Sequence, residues 1–315
     1  MTKRALILPL VAVMVLSPHA FAQAAADGPL RSANKLEFEV ASVRQNKSGD
    51  GQSGALFPLG PGDAYARTSG RFKATNLALF FYISFAYKFT ASQQASLETQ
   101  DSKDILWDKF DIDARSSRPD PSKDDMRQMM QSLLADRFKL RMHMESHEGP
   151  VFALILLKRD RTGPQLKPHP ADEPCSATSP AKATGLEPAF QAANRGTLPQ
   201  SCGGVAEYLK SSTPGYRRAG GRNVGIDLLA KTLSRMGDLG IPVIDRTSLA
   251  GTFDFILDWV PSADISAPTD QEATPNPPGP TFEDALQEQL GLKLTKQTAK
   301  TDVWVLDHVE LPTAN

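Results

Sequence analysis

Apolar residues recur with a period of two in some stretches and near 3.6 in others, and the two periods sort the chain into strands and helices. Residues 36–43 (L-E-F-E-V-A-S-V) alternate and predict a strand, and 70–76 (G-R-F-K-A-T-N) a shorter one. Residues 77–87 (L-A-L-F-F-Y-I-S-F-A-Y) are apolar nearly all round, as a buried helix is, with Asn76 placed to cap it. Residues 110–114 (F-D-I-D-A) alternate again. After a break at 119–123, Asp124 or Asp125 opens a helix with Met126, Met129, Met130, Leu133, Leu134 and Phe138 at helical spacing. Leu140, Met142 and Met144 then alternate with Arg141, His143 and Glu145, which predicts a strand. Glu148-Gly149-Pro150 predicts a turn, and 151–157 (V-F-A-L-I-L-L) a buried strand that closes a hairpin.

Residues 159–220 are rich in Pro, Ser, Gly and Ala and read as a connection with little core of its own. A familiar order then returns. Residues 221–226 are strand-like, 227–239 form an amphipathic helix, and 242–246 and 251–258 are strands. A second linker covers 261–280, a helix opens at 281–286, and 293–311 predict a terminal hairpin. G-R-F-K before the first helix matches G-R-N-V before the second, and F-D-I-D-A matches F-D-F-I-L. R-F-K-L-R matches L-G-L-K-L-T. The expectation is an α+β fold with two similar strand–helix–strand–helix–hairpin subdomains, 36–158 and 221–315, their helices packed on antiparallel or mixed sheets.

The start of the chain adds a compartment. M-T-K-R, an apolar run and Ala20-Phe21-Ala22 have the form of a secretory signal peptide spanning residues 1–22. The run is short for a membrane span, which takes about 20 residues, and no later stretch is apolar enough to provide one. Cleavage after Ala22 moves the formal charge from -1 to -3. Nucleic-acid binders concentrate basic charge on one face, and nothing here does so. Export permits a disulfide between Cys175 and Cys202, the 2 cysteines. Closing that loop would contribute about 3–4 kcal/mol in the chain-entropy treatment.

Candidate chemistry is sparse. His143 and His147, with Glu145 between them, have the spacing of a helical metal pair, but on a strand they stand about 13 Å apart at roughly 3.3 Å per residue. One zinc ion cannot bridge that distance. No metal or cofactor site is assigned. His169 falls in a loop and His308 near a strand end, neither beside a nucleophile in sequence. Asp111, Asp113, Asp254 and Asp258 recur in matching strands and offer paired carboxylates for acid–base work. Residues 215–221 (G-Y-R-R-A-G-G) read as a mobile loop, with anion binding on its amides as the alternative.

L-L-A-D-R-F-K-L (133–140), H-M-E-S-H-E-G-P-V-F-A-L (143–154), L-K-P-H, D-R-T-S-L-A-G-T-F-D-F (245–255) and the terminal V-W-V-L-D-H-V-E-L-P-T-A-N together resemble a soil-associated family of exported bacterial proteins defined by a domain of unknown function. The resemblance implies no established activity. Some members of that family carry the domain behind a membrane metallopeptidase of the penicillin-sensor type, which implies a sensor or binding role. The second half also resembles the short N-terminal domain of secretins and TonB-dependent receptors, which implies protein–protein contact by strand addition. The reading is therefore a non-enzymatic, periplasmic or extracellular binding module. Its expected partner is an envelope protein or a cell-wall glycan. The alternative is a secreted hydrolase of cell-wall or polysaccharide material acting through paired carboxylates.

Overall fold

The computed structural model describes residues 35–48, 51–56, 59–63, 68–98, 103–173, 198–199, 202–261 and 278–312. The expected signal peptide, Cys175 and most of both linkers lie outside the described residues. Helices and sheets are segregated as in an α+β fold. The first half contains β1 (Val40–Gln45), β2 (Gly54–Ala55), β3 (Arg71–Ala78), α1 (Leu79–Ala86), α2 (Ala91–Glu98), α3 (Lys103–Trp107), β4 (Lys109–Arg115), α4 (Lys123–Arg137) and β5 (Arg141–Leu156). The second contains β6 (Leu166–Pro168), β7 (Gly204–Leu209), β8 (Arg217–Gly225), α5 (Ile226–Met236), β9 (Val243–Asp245), β10 (Thr252–Trp259), α6 (Phe282–Ala285) with a π-helical turn over Leu286–Leu290, and β11 (Leu292–His308).

Two antiparallel sheets follow, with spatial orders β1-β4-β3-β2 and β6-β10-β8-β7. Each buries one face under its helices. Phe72, Phe110, Ile112, Tyr82, Phe85, Met130 and Phe138 belong to the first core; Phe253, Phe255, Leu257, Leu229, Leu233 and Leu286 belong to the second. The apolar stripe foreseen on α4 is this buried face. α4 itself opens on a capping box, in which Ser122 Oγ accepts from Asp125 N–H and the Asp125 carboxylate accepts from Ser122 N–H.

The third sheet, β11-β5-β9, ties the halves together. β5 and β11 pair antiparallel from Arg141↔His308 to Leu292↔Leu156. β9 adds in parallel to β5 at Phe152–Leu154. The ends of this ribbon are exchanged between cores. Leu140, just before β5, and Met142 near its start pack with the first core, and Phe152 and Leu154 at its end lie in the second. β11 does the reverse, with Leu292 in the second core and Trp304 and Leu306 against the first. Both strands leave a helix through a left-handed residue, Lys139 (φ 52°) and Gly291 (φ 69°). Only the second position demands glycine for space as well, because a Cβ there would lie 2.5 Å from Gly163 N.

Several expectations need correction. Both hairpins are single long strands: Pro150, read as part of a turn, sits mid-strand opposite Thr298. A proline is tolerated there because β9 begins to pair only at Phe152, so the outer edge of β5 requires no N–H at that point. Asn76 does not cap α1. It lies inside β3, and Ala78 occupies the cap without a side-chain bond. The connection 159–220 contributes β6, β7 and the start of β8, and 215–221 is largely strand, not a mobile loop. α2 and α3 were not foreseen, since both are short and α2 has no apolar period.

Candidate functional site

Each four-stranded sheet carries a β-bulge opposite an aspartate, and the two have the same construction. On β3, Thr75 and Asn76 lie between the pairs Ala74↔Ile112 and Leu77↔Phe110, facing Asp111 alone. On β8, Arg222 and Asn223 lie between Gly221↔Phe255 and Val224↔Phe253, facing Asp254 alone. A bulge leaves its extra residue off the ladder. Asn76 and Asn223 absorb it in the left-handed region, at φ 54° and 55°, which Asn enters more readily than most side chains. Their freed N–H groups donate to Asp111 Oδ1 and Asp254 Oδ1, both at 2.8 Å. Three residues later each chain enters its helix, α1 or α5.

The residue after the outer strand gives the same oxygen a second donor. Asn46 follows β1 and donates from Nδ2 to Asp111 Oδ1 at 2.8 Å. His169 follows β6, and its Nδ1 lies 2.8 Å from Asp254 Oδ1, a contact in which the ring must carry the proton. The backbone places the two alike: Asn46 N donates to Lys109 O at 2.7 Å, and His169 N to Thr252 O at 2.9 Å.

At this point the halves diverge. The His169 side chain is 6% exposed, and its Nε2 is buried with no hydrogen-bond partner among the described residues. Glu173 stands beside it in an ion pair with Arg222, the bulge residue next to Asn223. One donor atom each from His169, Glu173 and Asp254 lie within 4.8 Å of one another. Among the described residues, this is the group whose composition suits a metal ion.

The other candidates fall elsewhere. His143, Glu145 and His147 line one exposed side of β5, as alternation requires. His143 Nε2 is 2.9 Å from Glu145 Oε1 and His147 Nε2 is 2.8 Å from Glu145 Oε2; Asp307 Oδ1 of β11 is 2.8 Å from His143 Nδ1. Hydrogen bonds to Glu145 and then Asp307 raise the His143 pKa, while His143 and His147 lower that of Glu145. His308 Nε2 contacts Glu310 Oε1 at 2.7 Å. The four acids sit two to a sheet, each already engaged. Arg71 grips Asp113 through Nε and Nη2 at 3.0 and 2.5 Å and lowers its pKa, opposite to the rise an acid catalyst needs. Arg218 grips Asp258 at 2.8 and 2.7 Å. Cys202 is buried, and its expected partner Cys175 is outside the described residues.

Sequence reasoning left His169 isolated because its partner Asp254 is 85 positions away. The signal that finds it is the likeness of the two sheets, in which His169 follows β6 as Asn46 follows β1. Among the described residues no helix is long and apolar enough to cross a membrane. No curated protein and no solved structure matches the chain. A match over residues 81–309 shows that the chain belongs to the family described as "Protein of unknown function (DUF3738)".

Proposed function

We propose that the protein is an exported, non-enzymatic interaction module of the cell envelope, built by internal duplication, which binds a protein partner by adding a strand to the outer edge of β11. The observation that carries this reading is the ribbon. β11 runs for 17 residues and is terminal in its sheet, with β5 along one edge only. An open edge is a template for another strand. Gln93 Nε2 donates to Asp302 O at 3.3 Å and closes the edge there. The stretch before it carries exposed Lys293, Lys296 and Lys300, which favours an acidic extended segment.

The shared strand order and the twin bulges support duplication. Export rests on the charged start, apolar run and Ala20-Phe21-Ala22, and the Cys175–Cys202 bridge would suit an oxidising compartment. The hydrolase alternative draws little support from acids that are each held by a fixed donor. To test the reading, a photo-crosslinking side chain is placed at Lys296 or Thr298, and at Gln128 on α4 as control. The protein is then exposed to envelope extract. A discrete adduct at the β11 positions, competed away by unlabelled protein, is expected. Equal labelling at Gln128, or turnover of a cell-wall glycan by the purified protein that Asp replacement abolishes, would overturn it.

A further inference from the structure

The two bulges provide an internal control. Asp111 needs two donors and receives them from Asn76 N–H and Asn46 Nδ2. Asp254 needs the same two, and an asparagine at 169 would serve as well as one does at 46. The second half has instead a histidine, an added carboxylate at 173 and a cation at 222, where the first half has Thr75. Two hydrogen bonds to the aspartate do not require these three. Their placement costs stability, since an imidazole nitrogen is buried without a partner.

We propose that His169, Glu173 and Asp254 hold a divalent transition-metal ion, which takes the place of the proton between His169 Nδ1 and Asp254 Oδ1, with Arg222 supplying the neutralising charge when the ion is absent. A neutral imidazole and two carboxylates form a mixed nitrogen–oxygen set, which suits zinc and its neighbours better than calcium or magnesium, whose ligands are oxygens. Donor atoms mutually within 4.8 Å need only a small contraction. Ligands about 2.0–2.2 Å from a tetrahedral ion stand roughly 3.4 Å apart. Asn223 N–H and His169 Nδ1 both engage the same oxygen of Asp254, Oδ1. Glu173 is engaged by Arg222 and is partly exposed, so the site opens to solvent on that side. Binding there displaces the Arg222 guanidinium from its carboxylate.

That competition separates this proposal from a purely structural histidine. The test uses the purified protein, stripped with chelator and titrated by calorimetry with zinc, and with cobalt to read visible absorption. The expected result is one ion per chain, with no comparable heat from calcium or magnesium. His169→Asn should restore the arrangement of the first half, leave the metal-free melting temperature unchanged or higher, and weaken zinc at least tenfold. Glu173→Gln should also weaken it. Arg222→Gln should tighten it, which a structural role does not predict. A chain that binds no stoichiometric zinc would overturn the proposal. So would affinity unchanged in His169→Asn, or affinity lost instead in the double variant His143→Ala, His147→Ala.

Discussion

Two arginine–aspartate pairs, one in each sheet, offer the same bidentate geometry at different depth. Arg218 lies directly opposite Asp258 on β10, and the two side chains are 8% and 22% exposed. Ser211 Oγ adds a bond to Asp258 at 3.0 Å. Arg71 and Asp113 are 52% and 45% exposed. Each arginine is five positions before its bulge asparagine. Asp258→Ala leaves the Arg218 guanidinium buried without its counter-charge. Breaking one side of such a pair costs about 3–5 kcal/mol, and the lower part of that range applies because Asp258 retains some solvent. That is a large share of the stability of an ordinary domain, about 5–15 kcal/mol. Asp113→Ala removes a screened surface pair and should shift the urea midpoint by little or nothing, less still at high salt. The double variant Arg218→Met, Asp258→Leu removes both charges and should recover most of the loss, since apolar replacements of buried pairs are often neutral. Urea unfolding followed by tryptophan fluorescence reads all of these. If Asp258→Ala costs no more than Asp113→Ala, or if the double variant is as weak as the single one, burial is not what separates the pairs.

Lys123 is buried, donating to Gly60 O and Gly62 O, and burial holds its pKa well below the usual lysine value. Between the folded pKa and the unfolded one the native chain binds fewer protons, so stability should rise with pH there. The advantage of wild type over Lys123→Met should therefore grow toward alkaline pH, by at most about 1.4 kcal/mol per pH unit, in urea titrations; parallel profiles would refute this. His143 should titrate above an ordinary histidine by NMR, and Glu145→Gln should bring it down; its contribution to stability is present at low pH and lost as pH rises through the raised value. Reduction of the protein should lower its melting temperature if Cys175 and Cys202 are bridged, an effect of about 3–4 kcal/mol that Cys202→Ser should abolish. An identical melt with and without reductant would argue for free thiols.

The strongly periodic elements were legible in sequence: the α4 stripe, the alternation of β4 and β10, and the strand character of 140–145. What was not legible depended on partners far along the chain. Glu148-Gly149-Pro150 has local turn chemistry, and only the 292–308 segment pairing across it keeps β5 straight. The bulges were hidden for a similar reason. The likeness of Gly70-Arg71 to Gly221-Arg222 equates Arg71 with Arg222, but the bulges equate Asn76 with Asn223, and so Arg71 with Arg218. A shift of four residues concealed that Arg222 has no counterpart cation in the first half, where Thr75 stands. The candidate metal ligands were lost with it.

Where the two sheets carry the same residues, the scaffold explains them; where they differ, it does not. The ribbon shows the same contrast as the bulge. Its registry places Phe152 of β5 and Trp304 of β11 in equivalent positions, since both follow the left-handed residue that opens their strand by 13 positions. At Phe152 the outer edge is closed by β9. Near Trp304 the neighbouring role passes to α2 and the loop before it, with Tyr87 and Phe89 packed on the indole and Gln93 capping Asp302 O. A helix satisfies its own backbone and so leaves more of a strand edge open than a strand would. With α2 in place of a pairing strand at its far end, β11 has, among the described residues, no paired strand along the outer edge of its lysine-bearing middle. Among the described residues, the edge of β11 beside its lysines and the imidazole at the second bulge are two places where the likeness between the halves breaks, and it is there that a partner strand and an ion are proposed.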